Sequence, residues 1–146
     1  MSIFDKMPNQ HEIDPENSCE RGCIESMVFI VAADGNWEPG EVLYFHSAVK
    51  HNPRLQSLHY GLLEDLFTRS GTAIVSEGID VRLPKVVEML PSKEDRLEAI
   101  KMVLYVCLYK KEINESEKNV LEQIQKQYKI KDEEIKPFMH EIGLVL

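Results

Sequence analysis

Residues 32–41 read Ala32-Ala33-Asp34-Gly35-Asn36-Trp37-Glu38-Pro39-Gly40-Glu41, and they decide the fold. An Asp-Gly turn separates two apolar helical patterns, and a second carboxylate follows seven residues after the first. A weaker copy stands at Cys107-Leu108-Tyr109-Lys110-Lys111-Glu112-Ile113-Asn114-Glu115-Ser116-Glu117, offset by 76 residues. At that offset Met27–Val31 align with Val103–Cys107, Trp37 with Ile113, Glu41 with Glu117, and Phe45 and Ala48 with Leu121 and Ile124. Each unit therefore reads helix, tight corner with an apolar plug, helix. Neither hairpin can bury its apolar face alone, so the two are expected to pack on one another. The second copy has Lys110-Lys111 where the first has Asp34-Gly35.

Outward from the first corner, Cys23, Ile24, Met27, Val28, Ile30 and Val31 recur at helical spacing, which predicts a helix from Glu20 to about Ala33. A second helix is expected from about Glu38, with Pro39 in its first turn, and Asn52-Pro53 ends it. Leu55, Leu58, Leu62, Leu63, Leu66 and Phe67 predict a third helix, closed by Ser70-Gly71. Residues 72–82 alternate weakly. A lone strand would have no partner, so a short helix or turn is expected there. A short helix follows from Leu83, then a long one from Lys93 with Ser92 and Asp95 at its start. Asn114 with Glu117 has the capping-box spacing for the next, and a last helix runs from about Asp132 to Gly143. The result is an all-α domain of seven or eight helices. An irregular arm occupies residues 1–19 and a single domain 20–146, in units of about 20–82 and 83–146.

Bulk properties exclude several classes. A chain of 146 residues and 16.9 kDa suits one core without disulfide support. Its 17 Lys and Arg face 25 Asp and Glu, a formal charge of −8, which argues against nucleic acid as the main partner. No apolar run reaches the roughly 20 residues of a membrane span, so no stable membrane insertion is expected. The first 20 residues lack a signal-peptide pattern, and the chain reads as cytoplasmic. Three cysteines, an odd number, do not make a disulfide framework. Cys19 and Cys23 share a helical face but leave a zinc site short of ligands, and Cys107 lies in an apolar run.

Asp34, Glu38 and Glu41 form the best candidate site. Carboxylates at one helix end and in the next helix's first turns suit Ca²⁺ or Mg²⁺, with carbonyls and water completing the shell. The plainer account is dipole and turn chemistry, because glutamates favour helix N-termini and Asp-Gly is an ordinary turn. The regular ligand series of an EF-hand is missing. Five histidines occur: His11, His46, His51, His59 and His140. There is no phosphate loop, His-Glu-x-x-His or Gly-x-Ser-x-Gly, so catalytic residues are not assigned.

The repeated pattern resembles the TerB-like family, the group that holds the tellurite-resistance TerB proteins and the N-terminal domain of DjlA-type membrane co-chaperones. The resemblance rests on Ala32, Ala33, Asp34, Gly35, Trp37 and Glu41 in the first copy, and on Ile113 and Glu117 in the second. It covers about residues 20–142. It implies an all-helical fold, and cation binding at the corners with Asp34 and Glu41 as ligands and Glu117 as a contributor. It does not imply an enzyme. Lys110 and Lys111 depart from the pattern: an ammonium there either repels an ion or replaces it with a salt bridge. The expected function is a small non-catalytic helical binding or adaptor protein of stress-response type. Its expected partner is another protein, and the apolar tail Leu144-Val145-Leu146, if exposed, would serve a partner or a homodimer. The alternatives are a cation sensor or buffer, and a hydrolase built on Asp and His residues distant in sequence.

Overall fold

A computed structural model describes residues 13–33 and 42–146 of the chain. The described helices are α1 (Cys19–Val31), α2 (Val42–Val49), α3 (Pro53–Gln56), α4 (Tyr60–Glu77), α5 (Ile79–Met89), α6 (Lys93–Lys110), α7 (Glu115–Tyr128) and α8 (Asp132–Ile142). They pack as one all-α bundle. Among the described residues no helix is long and apolar enough to cross a membrane.

The first helix is the centre of the bundle. It starts one residue earlier than the sequence suggests, at Cys19, because the Ser18 side chain accepts from the Arg21 amide. Every residue from Glu20 to Ala32 is buried. A helix apolar on one stripe needs one neighbour; α1 is enclosed by α4, α5, α6 and α7. Gly22 sets the closest of these approaches. A Cβ there would lie 3.1 Å from Leu90 and from the Met89 Cβ, at the end of α5.

The two units pack through one another. Their first helices, α1 and α6, lie against each other, while α2 packs on α6 and α7 packs on α1. The aligned positions are buried in both copies: Met27, Val28 and Ile30 in α1, and Val103, Leu104 and Val106 in α6. Phe45 and Leu121 are buried counterparts, as are Ala48 and Ile124. Phe45 also stacks on Phe67 of α4, with ring centroids 4.3 Å apart.

Two expected boundaries are corrected. The third predicted helix is two. Asn52 caps the short α3, accepting from the Arg54 and Leu55 amides, and α4 begins anew at Tyr60, where a His59 ring nitrogen accepts from the Gly61 amide. Ser70-Gly71 does not close that helix. Both residues are buried inside α4, which runs on to Glu77 and stops at Gly78 with φ of +91°. Packing of these small residues outweighs their local preference to break a helix. Residues 72–82 are accordingly helical: the last turn of α4, the Gly78 junction, and the start of α5.

Candidate functional site

Asp34, Glu38 and Glu41 of the first corner, with Gly35 and Trp37, lie outside the described residues. The second corner is described in full. Helix α6 ends at Lys111, whose φ is +67°. A side chain rarely takes that region, and glycine takes it freely. Lys111 is the position aligned with Gly35, and it takes a positive φ without being a glycine. Ile113 is half-buried and packs against the core, as expected of the plug between the two helices.

Asn114 and Glu117 then form a reciprocal capping box. The Glu117 amide donates to Asn114 Oδ1 at 2.8 Å, and the Asn114 amide donates to Glu117 Oε1 at 3.1 Å. Glu117 is only 4% exposed. Its second oxygen makes no well-directed hydrogen bond but lies 2.6 Å from Lys110 Nζ. Of the two outcomes posed for Lys110, the structure has the salt bridge. The same ammonium stands 5.8 Å from the centre of the Tyr44 ring on α2. The carboxylate bears on the core behind it: burial, and next the Glu117 charge, push the Cys107 thiol up to about 12. Both oxygens of Glu117 are thus engaged within the protein. Among the described residues no group of three or more His, Cys, Asp or Glu side chains is placed to hold a metal ion.

The structure brings together a second set that the sequence does not reveal. Glu25, fully buried in α1, receives Arg21 Nε at 3.0 Å and Arg82 Nε at 2.7 Å, and the Arg82 Nη2 at 2.9 Å. From this centre the charges alternate outward. Arg82 meets Glu77 at 3.2 Å, and Glu77 meets Lys85 at 2.6 Å. On the other side Arg21 reaches Glu16 at 3.5 Å, Glu16 pairs with Arg69, and Arg69 with Asp65 at 2.7 Å. Four cations and four anions run from one surface through the core to another. Full pairing is what makes a charge tolerable at zero exposure. Nearby, Ser26 and Tyr128 share a buried 2.5 Å hydrogen bond between α1 and α7. Only the Arg21/Glu25 spacing was visible in sequence; the Arg82 contact is tertiary.

Three of the described histidines, His46, His51 and His59, fall into separate settings. His46 lies 3.0 Å from Glu64 and stacks on Tyr60. His51 stacks on Tyr105 with centroids 3.8 Å apart, and its Nε2 is 2.5 Å from the Tyr109 hydroxyl. His59 is the α4 cap. Two concavities matter for binding. An open groove of about 820 Å³ between α7 and α8 has Leu121, Ile130, Ile135 and Met139 along it and Leu146 at its edge. A smaller cavity of about 310 Å³ is lined by Cys19, Cys23, Asn52, Arg54 and Asp95. Neither contains a histidine. Burial, then Asp95, raise the Cys19 thiol, and burial raises Cys23 to about 12, so both are protonated at neutral pH.

No protein-family model matches the chain, and neither a curated protein nor a solved structure matches it.

Proposed function

We propose that the chain is a small non-catalytic helical binding protein of the TerB-like kind, with one divalent cation at Asp34, Glu38 and Glu41 and another protein as its partner. The observation that carries this reading is the Lys110–Glu117 ion pair. In the second corner the side chains at the Asp and Glu positions of the motif meet at 2.6 Å with opposite charges. The aligned positions in the first corner are Asp34 and Glu41, both carboxylates, with Glu38 beside them. Two carboxylates brought to such range repel, and a bound cation turns the repulsion into coordination. Lys110 is then the second corner's own substitute for an ion. Glu117 is spent on Lys110 and Asn114, so it stands outside the proposed ligand set.

Oxygen ligands from a corner and a helix start favour Ca²⁺, which accepts irregular shells, over Mg²⁺, which demands near-octahedral geometry. A protein partner is supported by the open α7–α8 groove and by the exposed Val145 and Leu146 next to it. A second copy of the chain would cover the same residues and would show as a dimer in sedimentation.

Calorimetric titration of metal-free protein with Ca²⁺ and with Mg²⁺ tests the cation site. Saturable one-site binding that Asp34→Ala removes and Glu117→Gln keeps is expected. Absence of heat at millimolar ion would reduce the first corner to helix capping and leave protein binding alone.

A further inference from the structure

We propose that Cys19 and Cys23, in the N-terminal part of α1, form a two-thiol site for a single soft cation of the copper(I) class. The two residues lie one turn apart on α1, and both line the same cavity of about 310 Å³. That spacing decides between the fates open to a thiol pair. Cβ atoms four residues apart on a helix are about 5–6 Å from each other. A disulfide needs about 3.5–4.5 Å, so direct oxidation of the pair would require α1 to unwind, and its first turns are held by the Ser18 cap and the Arg21–Glu25 pair. An inserted atom removes that conflict. Two metal–sulfur bonds of about 2.3 Å each set the sulfurs up to about 4.6 Å apart, which Cβ atoms about 5–6 Å apart accommodate.

Ligand count then chooses the ion. Zinc takes four protein ligands in structural sites, and no third metal-binding side chain is placed to join these two among the described residues. Copper(I) is soft, is selected by thiolates, and is satisfied by two of them. Glu20, Asp95 and Glu98 also line the cavity, with one guanidinium, Arg54, paired with Glu20 at 2.5 Å. The Cys19 thiol donates to the Met89 carbonyl at 3.4 Å and also interacts with the Asp95 carboxylate, contacts that metal binding would replace. Binding forms two copper–sulfur bonds and breaks two sulfur–hydrogen bonds. Both protons leave to solvent, and nothing is oxidised or reduced.

The test is anaerobic titration of the full chain with copper(I) against a coloured copper(I) chelator. One equivalent is expected to be withheld by the wild type and by Cys107→Ser, and lost to the chelator in Cys19→Ser and in Cys23→Ser. X-ray absorption of the wild-type complex is expected to show two sulfur neighbours, which keeps the test decisive if a variant unfolds. No retention by the wild type, retention in either single variant, or a copper shell of nitrogen and oxygen would each overturn the site.

Discussion

Glu25 has no water to retreat to, and its two oxygens are divided between Arg21 and Arg82. Removing it leaves two buried guanidinium groups with only their outer carboxylates, Glu16 at 3.5 Å from Arg21 and Glu77 at 3.2 Å from Arg82. Glu25→Ala is therefore expected to lower stability by about 3–5 kcal/mol, read from urea unfolding. Arg69→Ala, at the exposed end of the same line, is expected to cost under about 1 kcal/mol. Similar losses for both would mean the buried centre does not carry the line. The buried thiols make a separate residue-scale case. Cys23 and Cys107 ionise near 12 when folded, against an ordinary 9.0. An unfolded chain gives up those protons first. Stability is intact below about pH 9 and falls as pH climbs towards about 12, by up to about 1.4 kcal/mol per pH unit for each group. Tyr128, also raised by burial, acts in the same direction. Urea midpoints measured from pH 8 upward are expected to fall, and Cys107→Val is expected to flatten part of that slope.

At the scale of the element, local chemistry was readable where local chemistry sets the structure. Ser92 with Asp95 and Asn114 with Glu117 both make the two hydrogen bonds their spacing implies, and Gly143 ends α8. Asn114→Ala is expected to cost about 1 kcal/mol, the usual worth of an N-cap. Lys111→Gly is expected to raise the melting temperature, since it relieves a positive φ that a lysine holds at a cost of about 1 kcal/mol. A fall would mean that the Lys111 side chain contributes more than its backbone strain removes. Reading failed where packing overrides propensity. Ser70-Gly71 looks like a stop, yet inside α4 both are enclosed, and the hydrogen-bond ladder continues past them. The ionic line was missed for a related reason. Arg21 and Glu25 four apart resemble a solvated helix pair, and only the enclosure of α1 on all sides shows that a third charge, 57 residues away, must complete them. The first corner, where the sequence argument for a site is strongest, lies outside the described residues, so that argument still stands on sequence alone.

At the scale of the molecule, the repeat is a statement about assembly. Each unit's second helix rests on the other unit's first: α2 on α6, and α7 on α1. Neither half then completes its core alone. Residues 20–82 and 83–146 made separately are each expected to show little helical circular dichroism and to regain it on mixing. A half that folds alone would make the packing a docking of two finished parts instead. The Lys110–Glu117 pair has one more consequence at this scale. An ion taken from solution can be diluted, chelated or displaced by a competitor, and its occupancy follows the cell's supply. An ammonium carried on the chain is present from synthesis and answers to none of these. If the first corner reads its surroundings, the second is the fixed half against which that reading is made.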